Sequence, residues 1–235
     1  MMRPSVPSAQ DVVRLIRPSD GETFDALKRH YERRPSVWNY RTSRAVAEPL
    51  FSGDISCDAA VAACKRGHPL GWKANTEVIE HIWRAAQRRR FYCHTLSPEL
   101  FEIRRDLSIL VDPPFYFVED RKVKIFWLQP RRGYAPTIEG MGILAIMIRM
   151  AFAHKFDDAD LELLDLSVPK GESERVARVF ALADLPQISD ATVADALQRF
   201  ARAYDKICEL GVKRPERRRQ PSGQAERDLF DKSER

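Results

Sequence analysis

From Phe101 to Val111 the apolar residues Phe101, Ile103, Leu107, Ile109 and Val111 all fall on odd positions, with charged or small polar residues at most even ones. A period of two predicts a strand with one buried face. After Pro113 and Pro114, Phe115 to Val118 continues in an extended sense, Glu119 to Lys122 reads as a polar turn, and Val123 to Leu128 is rich in β-branched and aromatic residues. That composition predicts two further strands. Three short antiparallel strands are therefore expected in the middle of a chain that otherwise reads as helical.

Around them the pattern changes to helical spacing. Asp20 is a candidate cap for a helix over 22–34, ended by Pro35, and Ser56 for one over 57–66, closed by Gly67. Val78, Ile79, Ile82, Trp83 and Ala86 make the apolar stripe of a helix over 77–90. Residues 137–152 are apolar nearly all round, which predicts a helix buried against the sheet. Residues 161–168 read as a strand, and 175–182 as a hairpin strand or a helix. Ser189 or Asp190 caps a last amphipathic helix running to about Cys208. Residues 1–20 are expected to be loose, with Val12, Val13, Leu15 and Ile16 as a short docked strand. From Val212 onward the chain is polar, charged and proline-bearing, with too little apolar surface to order itself. The expected architecture is α/β, bordering on α+β: a single globular domain over 21–211 with a small central mixed sheet flanked by helices, and a disordered basic tail over 212–235.

Charge adds a mild bias. Lys and Arg outnumber Asp and Glu by 39 to 34, a formal charge of +5 that permits an anionic partner without demanding one. The clusters say more than the total: Arg88, Arg89 and Arg90, then Arg131 and Arg132, then Lys213, Arg214, Arg217, Arg218 and Arg219. Each is a candidate contact to nucleic-acid phosphates. For Arg88–Arg90 the negative end of a helix dipole is a sufficient alternative account. Residues 37–44 form an aromatic and basic segment without clear periodicity, carrying Trp38, Tyr40, Arg41 and Arg44, a composition that can stack on bases and pair with phosphates or simply anchor a loop. Four cysteines without a CxxC pair fit a reduced, cytoplasmic setting. Cys57 and Cys64, with His68 and His81 nearby, do not match zinc-ligand spacing and read as buried thiols. No signal peptide or membrane span is expected.

The predicted order of elements over 77–168, α-β-β-β-α-β, resembles the core of the PD-(D/E)XK nuclease-like superfamily. The resemblance implies an acidic residue at one strand end, where Asp112 stands, and an acidic-x-lysine set on a later strand, where Gln129 and Arg131 stand. In that family the carboxylates hold Mg2+ or Mn2+, which activates water. A glutamine is a weaker, neutral oxygen ligand, and an arginine cannot give up its proton near neutral pH. The literal string Asp120-Arg121-Lys122 falls in the predicted turn, while Glu102 and Asp106 on the polar face of the first strand are further carboxylates within the core. Near the end of the chain, Gln224, Asp228, Leu229 and Phe230 resemble the linear motif with which bacterial replication and repair proteins dock on the polymerase sliding clamp.

Three functional readings follow. The leading one is a DNA-associated accessory protein of replication, repair or a mobile element, with an inactive nuclease-like core and a partner-recruiting tail. The others are an active metal-dependent nuclease with a non-standard site, and a protein-interaction module with no nucleic-acid role.

Overall fold

The computed structural model describes residues 3–34, 36–133, 135–168 and 171–212. Its elements run α1 (Ala9–Leu15), α2 (Asp20–Glu32), α3 (Arg41–Ala45), α4 (Ala47–Ser52), α5 (Cys57–Cys64), α6 (Trp72–Ala86), β1 (Tyr92–Thr95), β2 (Glu99–Arg104), β3 (Leu107–Val111), β4 (Phe115–Glu119), β5 (Lys122–Gln129), α7 (Ile138–Phe152), β6 (Asp160–Asp165), β7 (Arg178–Ala181) and α8 (Asp190–Glu209). The fold is α/β. A five-stranded mixed sheet has the order β1-β4-β5-β6-β7, and β2 pairs with β3 in a separate ribbon.

The sheet is covered on both faces, and alternation along β5 shows why. Ile125 and Trp127 point into a core shared with α1, α2, α7, α8 and the ribbon, whereas Phe126 and Leu128 point into a second core with α4, α5 and α6. A strand buried on both sides must be apolar at consecutive positions, which is how Ile125–Leu128 reads. The β5 and β6 strands run parallel, Lys124 opposite Asp160 through Gln129 opposite Asp165. A parallel pair needs a crossover, and α7 supplies it. Its residues are buried nearly all round. Fully burying each large apolar side chain contributes about 1.5–3 kcal/mol, so α7 is a principal source of the sheet's stability.

The expected long strand over 101–111 is instead a hairpin. The β2 and β3 strands pair with Phe101 opposite Ile109 and turn at Arg105 and Asp106, with an irregularity between Glu102 and Arg104. Facing residues in this register have numbers of like parity, so odd positions of both strands share the buried face. Alternation therefore runs through the turn unbroken, and the sequence pattern could not reveal it. The ribbon packs on α7, α1 and α8, away from the five-stranded sheet. In that sheet the first of the three central strands is β1, so the order α6-β1-β4-β5-α7-β6 still reads α-β-β-β-α-β, with the ribbon inserted after β1.

Three local expectations need correction. Residues 9–15 form α1, with Ala9, Val12, Val13 and Leu15 in the core, not a loose segment or a strand. Helix α2 starts earlier because Ser19 caps it: its hydroxyl accepts from the Glu22 amide while Glu22 reaches back to the Ser19 amide, a capping box. Helix α6 ends at Ala86, so Arg88, Arg89 and Arg90 lie beyond its last turn, with Arg88 in a left-handed conformation (φ 62°). Among the described residues no helix is long and apolar enough to cross a membrane. The tail residues Lys213, Arg214, Arg217, Arg218, Arg219, Gln224, Asp228, Leu229 and Phe230 lie outside the described residues.

Candidate functional site

The β4 strand begins where β5 ends, because they are antiparallel with Phe115 opposite Phe126. Asp112, just before β4, and Gln129, the last residue of β5, therefore belong to the same end of the sheet. This is also the carboxyl end of the parallel pair β5 and β6, where open α/β sheets bind their ligands. The turn Asp120-Arg121 lies at the opposite end of the β4–β5 hairpin. Positive φ at both Asp120 and Arg121 (50° and 63°) suits a tight hairpin turn, and that geometry accounts for these polar residues.

Each residue at the carboxyl end is held by a different partner. The Asp112 carboxylate pairs with Arg44 of α3 at 2.9 Å. Gln129 is buried, and its side-chain oxygen accepts from the Gln10 amide of α1 and from the Arg131 backbone N–H at 3.1 Å. The Arg131 guanidinium forks onto the carboxylate of Asp11, also of α1. Burial pushes the Asp11 carboxyl up, but hydrogen bonding and charge from Arg131, with Arg14 behind it, outweigh that and hold it below the usual carboxylate range. Helix α1 is thus stapled to the end of β5 by Gln10–Gln129 and Asp11–Arg131.

A cleft of about 1280 Å³ opens above this point. Its walls are α1 and α2 on one side and the 36–44 segment with the start of α6 on the other, and residues 130–133 form its floor. Nine arginine and lysine side chains line it against two carboxylates, Asp11 and Glu77. Arg14 and Arg17 follow the α1 face, Arg29, Arg33 and Arg34 the end of α2, Arg44 and Lys73 the opposite wall, and Arg131 and Arg132 the floor. Asp11 is already shared by Arg131 and Arg14, and Glu77 by Arg132 and Arg175. Among the described residues Arg17, Arg29, Arg34 and Lys73 have no carboxylate partner, so the cleft carries a net positive field aimed at its interior.

Beneath the floor sits Arg175, from the connection between β6 and β7, its side chain 2% exposed. It donates to Glu77 at 3.0 Å, to the carbonyls of Pro130 and Leu166 at 2.6 and 2.7 Å, and to the Tyr40 hydroxyl at 2.8 Å. One guanidinium thereby ties α6, the ends of β5 and β6, and the aromatic segment together. Nearby, the buried carboxylate of Asp165 accepts from the Ser167 amide at 2.9 Å and hydroxyl at 3.0 Å, and from Arg178 at 2.5 Å. No sequence motif marked Arg175, because its side-chain partners Glu77 and Tyr40 are distant in the chain.

The remaining candidates lie elsewhere. Arg89 forks onto Glu119 and Glu162, all four contacts at 2.8 Å, with Phe51, Phe91 and Phe117 around its charge. Arg88 and Arg90 are exposed beside it, beyond the end of α6, and neither lines the cleft. Asp106 pairs with Arg3 and Arg104 on the ribbon, and neither it nor Glu102 lines the cleft. A magnesium or manganese ion does not fit this donor set. Asp112 is neutralised by Arg44, Gln129 offers one neutral oxygen already accepting two hydrogen bonds, and among the described residues no three His, Cys, Asp or Glu side chains gather as ligands.

Compared with known proteins, the chain matches no family model, no curated protein and no solved structure.

Proposed function

We propose that this protein is a DNA-associated accessory factor of replication, repair or a mobile element, which holds DNA phosphates in the cleft and does not cut them. The observation that carries this reading is the charge of the cleft: nine cations against two carboxylates that are themselves already shared. Phosphate contacts of this kind supply most of the sequence-independent affinity for nucleic acid. The element order around the cleft supports a nuclease-like ancestry. The pairing of Asp112 with Arg44, and of Arg131 with Asp11, supports loss of cleavage: an ion-paired carboxylate is a poor metal ligand, and a guanidinium is no base. The carboxyl-terminal residues Gln224, Asp228, Leu229 and Phe230 supply the partner-recruiting half of the proposal, by docking on a bacterial sliding clamp.

The test is binding of labelled DNA by the full chain. Reversing Arg29→Glu with Lys73→Glu is expected to weaken binding about tenfold or more at low salt, whereas Arg88→Ala with Arg90→Ala leaves it within about twofold. Unchanged affinity in the reversed variant overturns the cleft assignment. Cleavage that needs Mg2+ or Mn2+ and disappears in Asp112→Ala selects the nuclease reading instead. Absence of both binding and cleavage selects the interaction module. Capture of the clamp, lost on Leu229→Ala with Phe230→Ala, tests the tail separately.

A further inference from the structure

The cleft is not uniformly cationic. Trp38 and Leu70 line it among the arginines, and Leu70 is 69% exposed. Trp38 sits in a built seat. A Cβ on Gly71 would lie 3.0 Å from Cε3 and 3.2 Å from Cδ2 of its ring, so a side chain at position 71 would push the indole by a few tenths of an ångström, and glycine lets it pack closely against the backbone. Its other support is Tyr40, edge-on with ring centroids 5.1 Å apart. Tyr40 is itself fixed by the Arg175 hydrogen bond and lies 5.5 Å from that guanidinium. Among the described residues the Trp38 indole N–H has no hydrogen-bond partner within the protein.

We infer that the cleft takes DNA with unpaired bases, one of which stacks on Trp38. This rests on the cleft being the phosphate-binding surface. The reasoning is geometric and chemical. A duplex turns its phosphates outward and covers the faces of its bases, so it satisfies the arginines and leaves Trp38 and Leu70 facing charge and water. A single strand presents phosphates and base faces together, and an indole braced from behind by Gly71 and from the side by Tyr40 is a preformed platform for one of them. Because the ring is already fixed, little side-chain freedom is lost on stacking.

Two strands of equal length test this on the unaltered protein, a short single-stranded oligonucleotide and the same backbone made abasic throughout. The expected result is binding of the base-bearing strand roughly tenfold tighter than the abasic one, the scale of one lost stacking contact. Trp38→Ala is expected to erase that difference while leaving abasic binding unchanged, and Trp38→Phe to restore part of it. Equal affinity for the two strands, or tighter binding of a duplex of the same length, overturns the inference. If Arg29→Glu with Lys73→Glu still weakens both strands, only the stacking claim falls. If that reversal changes neither, the cleft reading falls with it.

Discussion

Replacing Arg89 separates a structural arginine from a phosphate contact. Its guanidinium is the cation for Glu162, which is 6% exposed, and it shares Glu119 with Lys124. Arg89→Met keeps the apolar stem among Phe51, Phe91 and Phe117 but leaves the Glu162 carboxylate buried and unpaired. Breaking a buried pair from one side costs about 3–5 kcal/mol. Arg89 itself is 23% exposed at the side chain, so water offsets part of the loss and the low end, about 3 kcal/mol, applies. For a chain of this size that lowers Tm by roughly 6–12 °C. Adding Glu162→Gln removes the orphaned charge and is expected to return about half of the loss. The pH dependence differs between the two proteins. In the wild type, hydrogen bonds from Arg89 outweigh burial and bring Glu119 down to about 2, so its stabilisation is complete above the ordinary glutamate range and is lost as pH falls toward 2. In Arg89→Met, Glu119 keeps only Lys124 as its cation, so less of that stabilisation remains, and urea titrations between pH 7 and 3 should show a shallower acid limb than in the wild type. A Tm within about 2 °C of wild type, together with weakened DNA binding, would refute the structural assignment.

Three further outcomes follow from the same geometry. Arg175→Met removes the buried link between Glu77, Tyr40 and two strand-end carbonyls, and is expected to cost about 3–5 kcal/mol in denaturant titrations. Asp11 lies below its unfolded value, so the stability that it contributes is present above the ordinary aspartate range and lost as pH falls through its folded value; Asp11→Asn should flatten that part of the acid limb in a pH series of Tm values. Burial pushes the Cys93 thiol up to about 12, so near pH 8 it should react with a thiol reagent far more slowly in the folded protein than in urea.

How much of this could be read from the chain depends on how local each signal is. Helix α7 and strand β5 were legible because burial on both sides forces runs of consecutive apolar residues, and β6 from Leu161, Leu163 and Leu164 despite the buried Glu162 between them. Helix α8 was legible from Ser189 and its amphipathic stripe. The β2–β3 turn was hidden by matching parity in the two strands. Helices α3 and α4, of 5 and 6 residues, are too short to show a period, and so Arg44 could not be placed. Helix α1 presents Val12, Val13, Leu15 and Ile16 so closely that a strand fits as well as a short buried helix. At the site, Asp112, Gln129 and Arg131 could be assigned to strand ends, but not their partners. Asp11, Arg44 and Arg175 come from segments far away, and pairing across such distances leaves no spacing to read. The cleft is the extreme case: its cations come from α1, α2, α3, α6 and the end of β5, and no two of those elements share a motif.

The central claim is that the cations lining the cleft neutralise DNA phosphates. The slope of log affinity against log salt tests it most directly, because each neutralised phosphate releases counterions and contributes about −0.9 on duplex DNA or about −0.7 on a single strand. Removing Arg29 and Lys73 together, as Arg29→Ala with Lys73→Ala, should make that slope shallower by about 1.8 on a duplex or about 1.4 on a single strand, with Arg88→Ala and Arg90→Ala as the unchanged comparison. A slope that is the same in the cleft variant, or that shallows only when Arg88 and Arg90 are removed, contradicts the account.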